Sequence, residues 1–337
     1  MEAKRPTLRV GIYGAGNWAN ATHIPNLLGL GGVEVAAICD RNLEAARATA
    51  ARFGIAGVYE DGHQMLAQVE LDALFSVVPA FARSGVEEAA AARGVHLFSE
   101  KPQALNMETA RRIDAAIRRA GVLSTVCFRE RYRPIFQEAR RRLQGKQVAH
   151  IRFQSIGGLP PLAAQAGDSW WHQLDKSGGA AFDWGVHAVD YARFVSGLEI
   201  ARAQAFYTEA AAYALPLSYS FNFQLSNGGT MSMNFVAATP AAPPGEARFV
   251  FFFEGGYLAI HGYEYLEVNG EKVYHAAEFN PWYEQDRCFI EAIRTGDASL
   301  LLNDYHDGLF SLGPVLAGWQ SARQGGACLD VSAFMKA

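Results

Sequence analysis

Along the first 125 residues, segments with a strand-like pattern of apolar and polar residues alternate with segments that have a helix-like pattern. Short runs rich in β-branched and aromatic residues, typical of strands, occur at 8–14, 33–40, 72–79, 94–100 and 123–128. Amphipathic stretches typical of helices separate them, at about 18–30, 43–53, 81–93 and 107–121. Strands that alternate with helices favour a parallel sheet covered on both faces. We therefore expect an α/β domain over residues 1–125, with a doubly wound parallel sheet.

The pattern changes after about residue 147. One strand is expected at 148–156, a helix ends near Ser196, and strand-like runs then follow at 201–210, 217–238, 247–262 and 265–275. The turns "SNGG", "EGG" and "VNGEK" interrupt these runs and suit antiparallel hairpins. Further helices are expected near 283–295 and 304–323, and "ATPAAPPGE" (238–246) reads as a loop. Residues 126–337 are thus predicted to form an α+β domain on a large open antiparallel sheet.

Composition narrows the possible partners. The chain has 337 residues, of which 50% are hydrophobic and 19% charged, with a formal net charge of −4. The arginine-rich stretch 128–142 keeps its apolar residues at helical spacing, so Arg140, Arg141 and Arg142 are expected to face solvent. No wider basic face supports nucleic-acid binding. We expect neither a nucleic-acid nor a membrane partner.

The cysteine pattern and the lack of long apolar runs predict the cellular compartment of the protein. The four cysteines form no C-x-x-C pair, no apolar run approaches the roughly 20 residues of a membrane span, and the first ten residues lack a signal-peptide core. A reduced, cytoplasmic protein is the expectation. No zinc-ligand spacing occurs, so no metal site is predicted.

The stretch "GIYGAGNWA" carries a G-x-G-x-x-A pattern directly after the first strand and at the start of a helix. Gly14 permits the tight turn, Gly16 lets the backbone approach a pyrophosphate, and Ala19 permits close helix–strand packing. Phosphates would lie at the helix N-terminus, where free N–H groups favour an anion. The pattern predicts a dinucleotide-binding turn, which includes Asn17 and Trp18.

Asp40 ends the second strand, 21 residues after Ala19. A carboxylate there accepts hydrogen bonds from an adenosine ribose and repels a 2′-phosphate, which favours NAD over NADP. Arg41 weakens this preference, because its guanidinium could hold that phosphate.

"FSEKPQAL" places Glu100 and Lys101 directly after another strand-like run. Ligands bind beyond the carboxyl ends of strands in such sheets, so Lys101 is expected to face the cofactor crevice, where Glu100 could orient it. The residues predicted to bind cofactor are Gly14, Gly16, Asn17, Trp18, Ala19, Asp40, Arg41, Pro79, Glu100 and Lys101.

The stretch "GGAAFDWGVHAVD" (178–190) places Asp183, His187 and Asp190 four and seven residues apart, on one face of a helix. Gly185 would leave that face open to close approach. Taken alone, the stretch favours a solvated polar stripe on an amphipathic helix over a functional face.

These motifs together resemble the glucose–fructose oxidoreductase / inositol dehydrogenase / rhizopine-catabolism (Gfo/Idh/MocA) family over nearly the whole chain. The resemblance is carried by the glycine turn with Asp40, by E-K-P at 100–102, and by 178–190, which is similar to G-G-G-x-x-x-D-x-G-x-H-x-x-D. "THIPNL" (22–27), "RYRP" (131–134) and "SARQGGACLDVS" also match. Ala180 replaces the third glycine, and Arg83 stands where many members have histidine, which leaves the substrate open.

The resemblance implies a Rossmann domain and a second domain whose open sheet mediates homodimer or homotetramer contacts. It implies that Gly178 and Gly179 let the helix start pass close to the ligand. It also implies that Asp183 and His187 project into the crevice opposite Lys101.

Oxidation of a secondary alcohol needs a base with a pKa near the working pH, and we assign that role to His187. Asp183 would orient His187 or bind a neighbouring hydroxyl. Lys101 would stabilise the negative charge that develops on the reacting oxygen, and could share in the proton transfer. Asp190 is expected to be structural.

Aromatic residues near the signature predict the wall of a sugar site. Trp170, Trp171 and His172 are expected to bind substrate together with Arg131, Lys101, Asp183 and His187.

The leading interpretation is an NAD(P)-dependent oxidoreductase that interconverts a secondary alcohol and a ketone on a sugar, polyol or related compound. Two alternatives stay open: a glycosidase of the same fold that retains NAD, and a non-catalytic nucleotide-sensing regulator. The acid–base set Lys101, Asp183 and His187 disfavours the regulator, which would not need it.

Overall fold

The computed structural model describes residues 7–208, 211–239 and 248–337. The chain forms two compact units that do not follow a single boundary at residue 125. The first comprises the chain up to Ala104 with Glu108–Arg129 and Asn280–Gly308. The second comprises Leu105–Met107, Glu130–Phe279 and Leu309–Ala337. Residues 280–308 therefore belong to the first unit, whereas the sequence analysis assigned them to the second domain.

The first unit is built on a six-stranded parallel sheet. Its strands are β1 (Leu8–Tyr13), β2 (Val33–Cys39), β3 (Gly57–Tyr59), β4 (Ala73–Ser76), β5 (His96–Ser99) and β6 (Ser124–Val126), in the order β3-β2-β1-β4-β5-β6. Its helices are α1 (Ile24–Gly29), α2 (Leu43–Phe53), α3 (Gly62–Gln68), α4 (Val86–Ala92) and α5 (Met107–Ala120), together with α10 (Pro281–Thr295). This strand order is that of the doubly wound dinucleotide-binding fold, so the predicted α/β class is confirmed.

Helix α10 explains why a distant segment belongs to the first unit. Phe289 on α10 is fully buried, and its ring meets the rings of Phe75 and Phe98 edge-on at centroid distances of 5.6 Å. Phe75 and Phe98 lie on adjacent strands and stack on each other at 4.5 Å. Burial of three such rings stabilises the unit by several kcal/mol, at about 25 cal/mol per Å² of apolar surface.

The second unit is built on a nine-stranded mixed sheet. Its strands are β7 (Val148–Ile156), β8 (Ile200–Tyr207), β9 (Ser218–Leu225), β10 (Thr230–Val236), β11 (Phe249–Phe253), β12 (Gly256–His261), β13 (Tyr265–Val268), β14 (Glu271–His275) and β15 (Leu329–Asp330). The order is β14-β13-β12-β11-β7-β10-β9-β8-β15, and among the described pairs of this sheet only β7 and β10 run parallel. The helices of this unit are α6 (Pro134–Leu143), α7 (Leu174–Ser177), α8 (Gly179–Asp183), α9 (Gly185–Ser196), most of α11 (Tyr305–Arg323) and α12 (Val331–Lys336).

Side-chain alternation gives this sheet one buried face and one exposed face. In β9 the residues Tyr219, Phe221 and Phe223 are buried while those between them are exposed. The three predicted hairpin turns are confirmed, since they join β9 to β10, β11 to β12 and β13 to β14 as antiparallel pairs. The predicted loop 238–246 lies almost wholly outside the described residues. Among the helices that are described, none combines the length and apolarity needed to cross a bilayer.

Candidate functional site

The predicted cofactor residues of the first unit follow four neighbouring strands at one edge of the parallel sheet. Gly14 follows β1, Asp40 follows β2, Pro79 lies shortly after β4, and Lys101 follows β5. Because the strands are parallel, all four carboxyl ends meet at the same edge, where ligands of this fold bind. The structure therefore brings this part of the predicted set together.

The glycine turn has the conformation that the motif predicts. Gly14 has φ of +110°, and a Cβ on it would lie 2.7 Å from the carbonyl oxygen of Val77, so a side chain is excluded by both backbone and space. A Cβ on Gly16 would meet nothing within 4 Å, which leaves the backbone open to a phosphate. Asn17 and Trp18 are exposed at the start of the helix, and Ala19 is fully buried against the sheet.

The helix that follows this turn contains a π-helical segment at Ala19–His23 before α1. Such segments occur often at functional sites, because the wider turn re-aims the side chains on it. Here the segment ends at His23, which lies fully buried below the predicted cofactor edge.

Asp40 links the glycine turn to the second strand. Its carboxylate accepts hydrogen bonds from the backbone N–H groups of Ala15, at 2.7 Å, and Asn42, at 2.8 Å. These bonds fix the carboxylate beside the turn, at the position where a ribose is expected. Arg41 is exposed at the same edge.

Glu100 belongs to a buried charge network that the sequence analysis did not predict. His23 Nε2 lies 3.0 Å from Glu100 Oε1, and His23 Nδ1 lies 3.0 Å from Asp286 Oδ1 on α10. Asn26 donates to Asp286 at 2.8 Å, and the backbone N–H of Lys101 donates to Glu100 Oε2 at 3.0 Å. An imidazole between two carboxylates thus holds the start of the E-K-P turn.

The charges of this network are set by mutual attraction against the cost of burial. Burial alone would lower the pKa of His23, but the charges and hydrogen bonds of Asp286 and Glu100 raise it to about 10. Burial alone would raise the pKa of Glu100, but His23 and then Lys101 lower it to about 2. His23 is therefore an imidazolium and Glu100 a carboxylate at neutral pH.

Cys127 completes a group that could in principle bind a metal ion. One donor atom each from His23, Glu100 and Cys127 lies within 4.8 Å of the others. Both ring nitrogens of His23 already meet carboxylates, and burial raises the pKa of the Cys127 thiol well above its usual value. A protonated thiol and an engaged imidazolium are poor metal ligands, so the group is better described as a charge network.

Arg83, which stands where many family members have histidine, lies beside the E-K-P turn. Its side chain is fully buried and donates to Ser76 Oγ at 2.7 Å and to Glu87 Oε1 at 2.9 Å. It also donates to the backbone carbonyl of Glu100 at 2.6 Å. Arg83 therefore supports the E-K-P turn through the carbonyl of Glu100. The residue that replaces the family's histidine is thus a residue that supports this turn.

In the second unit, the signature 178–190 spans two helices. α8 ends at Asp183, Trp184 lies between them, and α9 begins at Gly185. Asp183 is half-buried, while His187 and Asp190 are 1% and 0% exposed. The solvated stripe favoured by the local pattern is therefore wrong, because tertiary packing covers this face of α9.

The glycines of the signature serve packing within the second unit. Gly178 and Gly179 have φ of +64° and +67°, and Cβ atoms there would clash with Phe182 and with the Tyr219 hydroxyl. A Cβ on Gly185 would lie 3.3 Å from side-chain atoms of Met233 and Val315. These contacts explain why glycine stands at the three positions, and the expected close approach of a ligand stays a prediction.

Asp190 has the structural role that was expected of it. Arg131 donates to both of its oxygens, from Nε at 3.0 Å and from a terminal nitrogen at 2.6 Å, and Ser311 donates at 2.9 Å. This bidentate pair is buried at both ends and ties the short helix 129–132 to α9. The geometry favours a positioning role for Arg131, and its contact with substrate stays a prediction.

His187 lines a cavity of about 460 Å³ within the second unit. Its Nδ1 shares a hydrogen bond of 2.7 Å with the hydroxyl of Tyr191, one turn further along α9. The lining residues come from α6, α9 and the strands β7, β11 and β12 with the turn after β12, namely Phe136, Phe153, Trp184, His187, Ala188, Tyr191, Arg248, Phe249, Ile260, Gly262, Tyr263 and Glu264. This volume suits a ligand of the size of a sugar.

The predicted aromatic wall lies elsewhere in the second unit. Trp170, Trp171 and His172 form a short 3-10 helix, in which the two indoles stack at 4.1 Å and His172 Nδ1 lies 2.7 Å from the carbonyl of Ala166. None of the three lines the cavity beside His187.

Sequence reasoning missed His23, Asp286 and Tyr191 as members of the candidate site. His23 lies in the matched stretch "THIPNL", which was the one signal available for it. Asp286 carried no signal, because it lies 263 residues from its partner. Tyr191 follows His187 by four residues, a helical spacing that indicates contact.

Family profiles match both units of the chain. Residues 8–128 match the profile described as an oxidoreductase family with an NAD-binding Rossmann fold, Gfo/Idh/MocA. Residues 136–259 match the Gfo/Idh/MocA C-terminal domain. Together the two matches cover more than half of the chain.

Individual proteins resemble the chain more distantly. D-glucoside 3-dehydrogenase of Escherichia coli K12 is 28% identical over 190 residues, 56% of this chain and 54% of that protein. The scyllo-inositol 2-dehydrogenase (NAD(+)) of Bacillus subtilis 168 is 28% identical over 196 residues, 57% of this chain and 52% of that protein. The chain thus matches about half the length of these relatives. An oxidoreductase domain protein from Kribbella flavida has the same fold, with a TM-score of 0.82, 20% identity, and coverage of 97% of this chain and 99% of that one.

Proposed function

Because the chain belongs to the Gfo/Idh/MocA family of oxidoreductases with an NAD-binding Rossmann fold, we propose that it oxidises a secondary alcohol reversibly to a ketone. The proposed substrate is a sugar, a polyol or a related hydroxylated compound, and the proposed catalytic residues are Lys101, Asp183 and His187. The observation that supports this most directly is the common edge at which Gly14, Asp40 and Lys101 follow their strands.

The cofactor would be held by the first unit. The open backbone at Gly16 and the helix that starts at Asn17 suit a pyrophosphate, and Asp40 suits a ribose with a free 2′-hydroxyl. NAD is therefore preferred over NADP, with Arg41 as the residue that could relax the preference. When bound, the nicotinamide accepts the hydride in oxidation and returns it in reduction.

His187 is the proposed base for the hydroxyl proton. A base needs its lone pair on Nε2, which requires the ring proton on Nδ1, donated to the Tyr191 oxygen. Tyr191 is thus a positioning residue that selects the tautomer. In the direction of reduction, His187 returns the proton to the substrate oxygen.

Lys101 is the proposed stabiliser of the charge on the reacting oxygen. Its ammonium would donate a hydrogen bond to the alkoxide as the hydride leaves the same carbon. Glu100, held by His23 and braced through its carbonyl by Arg83, fixes the backbone from which Lys101 projects. Asp183 is assigned to orienting His187 or binding a neighbouring hydroxyl.

The experiment that tests this function is a panel of sugars, polyols and their acids, assayed with NAD and with NADP by the absorbance of reduced nicotinamide. Lys101→Met and His187→Gln should each lower turnover by a factor of about 10²–10⁴ while NADH affinity stays within about threefold. Lys146→Met, on an exposed lysine, is the matched control and should retain full turnover.

Two results would contradict the proposal. Retention of near-normal turnover by either variant would remove that residue from its role. Release of a sugar product without net reduction of the cofactor would favour the NAD-retaining glycosidase instead.

A further inference from the structure

The cavity beside His187 contains a cation that the proposed oxidation does not use. Arg248 directly precedes β11 and is exposed, and its guanidinium carbon lies 6.0 Å from the ring centroid of Trp184. Trp184 in turn lies 5.6 Å from the ring of His187. Within the described parts of the chain, the Arg248 guanidinium has neither an ion pair nor a hydrogen bond.

Tyr263 and Arg133, two other polar groups near the cavity, already have partners. Tyr263 donates to Glu130 at 3.2 Å, and the Arg133 guanidinium lies 4.1 Å from the Tyr263 ring centroid and 2.5 Å from Glu130. Much of the remaining lining is apolar and buried, such as Phe153 and Phe249 at 3% exposure each. A guanidinium held over an aromatic face beside such a surface is suited to bind a planar carboxylate or a phosphate.

The spacing of Arg248 and His187 sets an upper limit on the distance that the ligand has to span. The ring distances place the Arg248 guanidinium within about 12 Å of the His187 imidazole. A six-carbon chain spans about 6 Å, given C–C bonds of about 1.5 Å, and a hydrogen bond adds about 2.9 Å at each end. A hydroxylated acid of about six carbons can therefore reach both groups at once.

We propose that the substrate carries an anionic end group, a carboxylate or a phosphate, which Arg248 binds while His187 meets the reacting hydroxyl. This inference rests on the proposed function and narrows its substrate class. The Trp184 ring lies 6.0 Å from the Arg248 guanidinium and 5.6 Å from the His187 ring, and would pack on the C–H surface of the substrate. Glu264 is the one carboxylate among the described residues that line the cavity, and its charge opposes an anion there.

Turnover of matched substrates tests the inference directly. Wild-type protein is assayed with gluconate and glucuronate, with glucose 6-phosphate, and with glucose and myo-inositol as the neutral arm. We expect kcat/KM to be at least about 100-fold higher for one of the two anionic arms than for the neutral arm, and whichever arm prevails identifies the end group. The preference should weaken as salt is raised, since Arg248 is exposed.

Variants separate a specific role of Arg248 from a structural one. Arg248→Gln should lower kcat/KM for the anionic substrate by about 10–10³-fold, mainly through KM, and leave neutral substrates within about threefold. Glu264→Gln is the matched control on the same cavity and should leave anionic substrates unchanged or improve them.

The outcomes distinguish this inference from the function on which it rests. Reduction of the cofactor by neutral substrates in preference to anionic ones would overturn the inference and leave the oxidoreductase function intact. An equal loss for all substrates in Arg248→Gln would also overturn it. Absence of reduction with every compound, together with no binding of gluconate by calorimetry in the presence of NADH, would overturn both.

Discussion

At the scale of single residues, the candidate site depends on groups whose charge is fixed by buried partners. His23 is the clearest example, because its imidazolium lies between Glu100 and Asp286 with no exposure to solvent. Its attraction to the two carboxylates outweighs the cost of burying the charge. The backbone of Lys101 depends on this network through its hydrogen bond to Glu100.

The stability contributed by His23 should depend on pH with a defined sign. The pKa of His23 is raised from 6.5 to about 10, so its contribution is complete below pH 6.5 and is lost as the pH rises through about 10. The pKa of Glu100 is lowered from 4.5 to about 2, so its contribution is complete above pH 4.5 and is lost as the pH falls towards 2. His23→Gln should therefore lower the free energy of unfolding most between pH 4.5 and 6.5, by about 3–5 kcal/mol.

Chemical denaturation at a series of pH values measures this effect. His306→Gln is the control, since His306 pairs with Asp114 at 2.9 Å but its side chain is 44% exposed, so the change should be below about 1 kcal/mol. A loss of stability in His23→Gln that stays constant up to pH 10 would show that the imidazolium charge is not its source.

At the scale of elements, helix α9 connects the candidate base to the body of the second unit. It carries His187 on the face that lines the cavity, and Asp190 binds Arg131 of the short helix 129–132 and Ser311 of α11. The break at Trp184 separates α9 from α8 and leaves that indole 38% exposed beside the cavity. The position of His187 therefore depends on how α9 is anchored as well as on its own contacts.

The Arg131–Asp190 pair should contribute strongly to the stability of this arrangement. Asp190→Asn leaves a buried guanidinium with no opposite charge on that side, and should lower the free energy of unfolding by about 3–5 kcal/mol. Arg131→Met combined with Asp190→Leu should recover much of the loss, because the uncompensated charge is gone. Denaturation by urea measures both.

A pair between α9 and the residues that follow it provides the control. Arg193 binds Glu199 at 2.6 Å, but the Glu199 side chain is 51% exposed, so Glu199→Gln should cost about 1 kcal/mol or less. Equal losses in Asp190→Asn and Glu199→Gln would contradict the importance of burial for the first pair.

At the scale of the whole molecule, the first unit is assembled from segments that are distant in sequence. Residues 280–308 supply Phe289 to its aromatic core and Asp286 to the charge network of His23. Gln285 of the same helix donates to the backbone carbonyl of Val126 at 2.7 Å. The nucleotide-binding fold of this chain is therefore completed only by its C-terminal part.

A fragment that ends at Arg129 should fail to fold on its own. It exposes the faces of Phe75 and Phe98 and leaves His23 without Asp286, at a combined cost comparable to the 5–15 kcal/mol stability of a typical domain. The same fragment joined to residues 280–308 through about 16 Gly/Ser residues should unfold cooperatively, since such a linker spans about 22 Å. Thermal melts followed by circular dichroism compare the two.

The control for this comparison carries Phe289→Ala and Asp286→Ala in the joined fragment, which should abolish the cooperative transition. A fragment 1–129 that melts cooperatively at the midpoint of the joined fragment would show that residues 280–308 are dispensable.

The sequence by itself determined the features that depend on neighbouring residues. The glycine turn, the strands β1, β2 and β7 and the three hairpins follow from backbone preferences and side-chain alternation, which act within a few residues. The family resemblance led to the prediction that Lys101 and His187 act together as catalytic groups, because the family's motifs lie in distant stretches of the sequence.

Only the tertiary structure decided which distant groups became partners. The pairing of His23 with Asp286, the burial of Asp190 against Arg131, and the place of Arg83 beneath Glu100 have no local signal, because the residues acquire neighbours only when the elements pack. The same holds for His187, since a polar stripe suits either solvent or a buried face. Whether the stripe is exposed or buried depends on the free energy of burying that face of α9 against the rest of the unit. This free energy cannot be inferred from a short stretch of sequence.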